Sequence, residues 1–153
     1  MNHTLNNVEE ILINHTAIKA FTIVLLLLIV SPASFADRSK ELAALASAEN
    51  FLQLVDTGHY SESWDAAAAF FKQQVSRQQW VKQLESVRPA FGNLVTRKIK
   101  GQNHTTSLPG APDGEYVVIQ FYTSFTHKKN AIETVTPMLE KDGEWRVTGF
   151  YIR

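Results

Sequence analysis

Three consecutive runs in the C-terminal third constrain this chain more than anything else in it. Residues 115–125, 131–139 and 145–152 are rich in β-branched and aromatic side chains and are joined by short polar turns, the pattern of antiparallel strands. In the first run Val117, Ile119, Phe121 and Phe125 share one face. Tyr116, Val118 and Tyr122 share the other, with Gln120 among them. A strand apolar on both faces is expected mid-sheet with something packed on each side. Pro137 lacks a ladder donor and predicts an edge or a bulge in the second run. Asp142-Gly143 is a tight hairpin turn, and Gly149 predicts a bulge or bend in the third. A further strand is expected over residues 93–100, where Val95 and Ile99 alternate with Thr96, Lys98 and Lys100, and Arg97 breaks the pattern. Its lysines would discourage edge-to-edge pairing. Residues 101–114 read as a loop, with turn signals at Pro109-Gly110 and Asp113-Gly114.

Upstream lie helices in need of a sheet to cover. Over residues 39–55, Leu42, Leu45, Leu52 and Val55 recur near helical spacing, and Gly58 stands where a C-terminal cap glycine belongs. A second helix is expected over residues 60–74, capped by Ser61 or Ser63, with Trp64, Ala67, Ala68 and Phe71 on one face. A third follows the capping box of Ser76 and Gln79, with Trp80, Val81, Leu84 and Val87 inward, and ends before Pro89. The expected architecture is α+β: three N-terminal helices packed on one face of a four-stranded antiparallel curved sheet, a cone-like arrangement.

The chain begins with a segment that this domain does not need. Lys19 precedes an unbroken apolar run over residues 20–30, and Ser34-Phe35-Ala36 follows with small residues at the −3 and −1 positions of a cut after Ala36. That is the layout of a secretory signal peptide over residues 1–36; the alternative is an uncleaved leader acting as the sole membrane anchor. Residues 37–153 then form one domain, carrying 14 Lys and Arg against 13 Asp and Glu, a balance that gives no reason to expect nucleic acid. The absence of cysteine excludes disulfides and thiol chemistry, and an exported domain without disulfides fits the bacterial periplasm.

Several motifs occur in an order that carries a resemblance: Asp56-Thr57-Gly58-His59-Tyr60 with Trp64-Asp65, the loop from Ser107-Leu108-Pro109-Gly110 through Asp113-Gly114-Glu115-Tyr116, Glu133-Thr134-Val135-Thr136, and Asp142-Gly143-Glu144-Trp145-Arg146-Val147. Together they resemble the bacterial domain-of-unknown-function 4019 family over nearly the whole of residues 43–153, with Pro137 departing from the usual aliphatic residue. The resemblance implies an exported domain and a shape, not an activity. More distantly, the Gly-x-Tyr turn before an aromatic helix and the Gly-x-Trp opening of the last strand look like the nuclear-transport-factor-2-like cone. That superfold hosts isomerases, dehydratases and non-catalytic binders alike.

The candidate chemistry is sparse. His59, His104 and His127 fall in turns or loops without metal-ligand spacing, so no metal or other cofactor is expected. Asp65, at an apolar helix start, is a candidate general base if burial raises its pKa; the plainer reading is a first-turn carboxylate favoured by the helix dipole. Trp64, Phe121 and Trp145 are candidates to line an apolar pocket, or are simply core. Pro109, Gly110 and Pro112 would stiffen a loop suited to contact a partner. Arg97, Lys98 and Lys100 form a basic cluster on the first strand. The leading expectation is a periplasmic, non-catalytic domain that binds a small apolar ligand or a protein partner. The alternatives are a cone-fold isomerase or hydro-lyase, and a homodimerising module covering Tyr116, Val118 and Tyr122.

Overall fold

The computed structural model describes residues 32–153. Residues 38–153 form one compact unit, which carries the sheet and its helical cover. The apolar run of the expected leader lies outside the described residues, and the expected cut after Ala36 falls within the first described helix. Among the described residues no helix is long and apolar enough to cross a membrane.

Helix α1 (Pro32–Asp56) starts earlier than its apolar pattern suggests. Its buried stripe is Ala44, Ala48, Phe51, Leu52 and Val55. Leu42, expected inside, is 61% exposed; two residues ahead of Ala44, it lies roughly 200° round the helix. Gly58 ends the helix as expected. At φ +80 it lets His59 N–H reach the Leu54 carbonyl at 2.8 Å.

The expected second helix is broken in two, α2 (Tyr60–Asp65) and α3 (Ala69–Gln74). At the break Ala68 is extended, and its N–H donates to the Val147 carbonyl of the last strand at 2.8 Å. The next N–H, that of Ala69, donates to the Glu140 carboxylate at 2.7 Å. Small side chains bring this backbone close enough to the sheet for those bonds to replace intrahelical ones. Neither Ser61 nor Ser63 caps α2. Ser63 is fully buried instead; its hydroxyl donates to the Tyr60 carbonyl and accepts the Trp80 indole N–H at 2.9 Å. Helix α4 (Arg77–Val87) opens with the expected capping box: Ser76 N–H donates to Gln79 Oε1 at 3.0 Å, and Gln79 N–H to Ser76 Oγ at 3.3 Å. Trp80 and Leu84 are buried, but Val87, in the last turn, is 44% exposed. A single 3-10 turn, Arg88–Ala90, follows.

Four strands run as an antiparallel meander in the order β1 (Leu94–Thr105), β2 (Tyr116–Phe125), β3 (Ala131–Leu139) and β4 (Trp145–Ile152). The α+β plan and the open sheet are as expected; the helices number four among the described residues, and β1 runs on to Thr105, past its expected end at Lys100. Pro137 pairs with Val147 and Thr136 with Gly149, which leaves Thr148 as a bulge. The missing proline donor thus falls where the ladder is already interrupted. The bulge also resets the alternation, so Trp145, Val147 and then Phe150 all meet the helices.

Between helices and sheet the interior is filled with rings. Trp80 lies 5.1 Å from Phe71, 6.0 Å from Phe51 and 6.2 Å from Phe150 between ring centroids, with Phe51 and Phe150 at 5.7 Å. The outer face of β2, expected to be packed over, is not. Tyr116 is covered by its own preceding loop, while Tyr122 is 57% exposed.

Candidate functional site

The least expected group in the molecule is a cluster of charges beneath the sheet. Glu133 alternates with Ala131 and Val135 on β3, so the period of the strand turns it inward, where its side chain is 1% exposed. A buried carboxylate needs a partner. Arg97 supplies it: Nε donates to Glu133 Oε2 at 2.6 Å and Nη2 to Oε1 at 3.1 Å. The same guanidinium donates to both oxygens of Asp56, at 2.7 and 3.1 Å. Thr123, diagonal to it on β2, donates its hydroxyl to Glu133 at 2.6 Å. Arg88, from the 3-10 turn, donates to Asp56 at 3.0 Å and lies 4.7 Å over the Phe125 ring.

Alternation along β1 aims Arg97 at this cluster, and a bulge before it brings Leu94 to the same face. Leu94 pairs with Phe125 and Thr96 with Ser124, so Val95 is a bulge. Beyond it the inner face carries Arg97, opposite Thr123, and Ile99, opposite Phe121. The expected Val95–Ile99 face is corrected at one position: Val95 turns out, 58% exposed, and Leu94 stands inward opposite Phe125, while Arg97 and Ile99 keep the inner face. The basic cluster read along this strand splits accordingly, Arg97 to one side and Lys98 to the other. Asp56 is the last residue of α1, where the helix dipole disfavours a carboxylate; two arginines offset that. Burial alone would lower the pKa of Arg97, but the hydrogen bonds and charges of Asp56 and Glu133 outweigh it and hold the guanidinium above its ordinary value. The four charges balance internally.

Above this network lies a cleft of about 390 Å³ between α1 and β1. Leu52, Leu94, Ile99 and Phe121 give it apolar walls; Asp56 and Arg97 lie at its floor, and Glu49 and Thr57 are at its rim. The Thr57 hydroxyl donates to the Gln53 carbonyl at 2.8 Å and sits 2.8 Å from His59 Nδ1, an ordinary helix-end arrangement. Every carboxylate oxygen of Asp56 and Glu133 accepts from an arginine. What remains for a ligand is shape and apolar surface, with the side chains of Glu49 and Gln53 at the rim.

The residues singled out from sequence do not converge. Phe121 lines the cleft; Trp64 and Trp145 do not. Trp145 is core, 9% exposed. Trp64 donates its indole N–H to the Val75 carbonyl at 2.7 Å, with Arg77 at 5.0 Å and Lys72 at 5.4 Å from its ring. Asp65 is half exposed, ion-paired with Arg77 and remote from the cleft lining, so it lacks the burial that a general base would need. Pro109 and Gly110 form a turn closed by Ala111 N–H to the Leu108 carbonyl at 3.2 Å, and the Tyr116 hydroxyl donates to the Pro112 carbonyl. The loop is thus held from within, and its prolines stay exposed. His104 lies 3.5 Å from Glu115, whose carboxylate accepts from Lys40 of α1 at 2.7 and 2.9 Å. Among the described residues no cluster of His, Asp and Glu could hold a metal. Sequence reasoning missed Asp56, Arg97 and Glu133 as a unit, although the alternation around Glu133 and the pattern break at Arg97 were both signals.

No curated protein and no solved structure matches this chain. The model of one family, described as "Protein of unknown function (DUF4019)", matches residues 47–150, a span that takes in α1 from its middle, the charge cluster, the cleft and almost all of the sheet; the chain belongs to that family.

Proposed function

We propose that this chain is an exported, non-catalytic binding domain that takes a small, uncharged, largely apolar molecule in the cleft between α1 and β1. One observation carries the reading. Leu94 and Ile99 stand 38% and 45% exposed over a floor whose charges already satisfy one another. Exposed aliphatic side chains facing a concave space favour an apolar guest, and a neutralised floor offers an added charge no partner. The full engagement of Asp56 and Glu133 supports binding over acid–base chemistry, since a catalytic carboxylate needs a free oxygen. Export rests on the leader-like layout around the apolar run and Ala36.

The test is titration of the full-length chain with the neutral dye N-phenyl-1-naphthylamine, followed by its fluorescence. Saturable one-to-one enhancement is expected, weakened about tenfold or more by Ile99→Glu, with an unchanged urea midpoint. Equal enhancement in the variant would overturn the reading, as would no enhancement at all. For the compartment, N-terminal sequencing of chain recovered from a periplasmic extract should begin at Asp37; a chain retaining residues 1–36 in the membrane fraction would make the leader an anchor.

A further inference from the structure

We infer that the outer face of the sheet is a second site, separate from the cleft, for an anionic polysaccharide. The register puts Lys98, Tyr122 and Ile132 in one cross-strand row of that face, and Gly101, Gln120, Thr134 and Tyr151 in the next. Glu133 is the only carboxylate in the four strands, and it points the other way, into the network with Arg97. The outer face therefore carries cations and no acid. Lys98 and Lys129 border a hollow of about 490 Å³ whose remaining polar lining includes Thr96, Ser124 and Asn130. Neither lysine makes an ion pair among the described residues. Lys100 adds a third cation, 5.7 Å from the Tyr122 ring and 3.2 Å from Gln120 Oε1.

Two further features select the chemistry of the guest. Tyr122, which lines the hollow, and Tyr151 are 57% and 62% exposed. Around them are hydroxyls and amides: Thr96, Gln120, Ser124, Asn130 and Thr134. Exposed rings that can stack on sugar C–H faces, amides and hydroxyls that exchange hydrogen bonds with hydroxyls, and lysines that meet carboxylates or sulfates together match an acidic glycan. A protein partner would ask for a contiguous apolar centre, which Tyr122 and the half-buried Ile132 do not provide. A second copy, related by a two-fold axis through this face, would set one cationic, acid-free surface against another.

The experiment is affinity electrophoresis of the full-length chain through gels containing polygalacturonate, dextran, poly-glutamate or oligothymidylate, with phosphatidylglycerol vesicle flotation beside it. Retardation by polygalacturonate is expected at about 50 mM salt and should fade by about 300 mM. Lys98→Glu with Lys129→Glu should weaken it at least about tenfold, and Tyr122→Ala about fivefold, both with unchanged urea midpoints. Ile99→Glu should leave it intact, which separates this site from the cleft. Absence of retardation, equal retardation by dextran, binding to poly-glutamate, oligothymidylate or the vesicles as tight as to polygalacturonate, or no loss in the double variant would each overturn the inference. So would a dimer in ultracentrifugation that Tyr122→Ala dissociates.

Discussion

Under β3 and β4 the interior is closed by rings. Under β1 it is closed by charge. On the first side Phe71 and Phe150 meet Trp80 edge to face, Phe51 meets Phe150 the same way and lies tilted against Trp80, and the backbone of Ala68 docks directly on β4. On the second, Arg97 bridges Asp56 and Glu133, and the helices stop short, leaving Leu94 and Ile99 over an open cleft. The hydrophobic force that buries these rings is non-directional, and such a core tolerates several packing solutions of similar energy. A buried ion cluster admits few geometries, because each lost partner strands a charge. The ring side therefore supplies most of the cohesion, and the charged side fixes how β1 sits against α1 while leaving room above it.

That contrast can be broken from either end. The largest effect is expected for Trp80→Ala, which removes three ring contacts and leaves Ser63 without its indole donor. Its cost should be about 4 kcal/mol in urea unfolding. Next comes Glu133→Ala, at about 3 kcal/mol, because Arg97 keeps its charge in a site that is 13% exposed. The sharper version replaces Asp56, Arg88, Arg97 and Glu133 together by leucine, which should recover most of that loss; a quadruple variant still less stable than Glu133→Ala would mean the network itself supplies cohesion. Gly92→Ala should cost about 2 kcal/mol: φ is +74, and an added Cβ would lie 2.1 Å from Thr126 Oγ1, whose hydroxyl accepts the Asn93 N–H just before β1. Ser76→Ala, which removes the capping box under Trp80, should cost about 1 kcal/mol and leave dye binding in the cleft unchanged.

The smallest effect is a pH dependence. Lys40 holds the Glu115 carboxyl below its ordinary 4.5, with a smaller contribution from His104. The folded state then binds fewer protons than the unfolded chain in that range. The contribution is present in full above pH 4.5 and drains away as pH falls through the lower folded value. A urea-midpoint profile should show the acid limb become shallower in Lys40→Met. An unchanged limb would show that the clamp is fully screened by solvent.

Much of the fold was legible beforehand because it depends on neighbours in sequence. The spans of β3 and β4, the capping box at Ser76, the cap at Gly58 and the bulge beside Pro137 each follow from a few adjacent residues. The break at Ala66–Ala68 was not legible, since four alanines favour helix locally and only the carbonyl of Val147, far along the chain, competes for that backbone. The site was half legible. Alternation placed Glu133 on the same face as Val135 and Arg97 on the same face as Ile99, but that the two meet, with Asp56 beside them, depends on how β1, β3 and α1 come together. Trp64, Asp65 and Trp145 looked site-like because aromatic and acidic residues mark pockets in sequence, and they equally mark helix ends and cores.

The sequence by itself determined the α+β plan, the strand order and the absence of thiol chemistry, because periodicity, turn residues and composition act over a few positions at a time. Only the tertiary structure decided that Asp56, Arg88, Arg97 and Glu133 form one neutral cluster and that the cleft lies beside β1. Those outcomes turn on the bulge at Val95, which brings Leu94 over the cleft, and on contacts between residues 32 to 41 positions apart, and the local pattern carries no record of either.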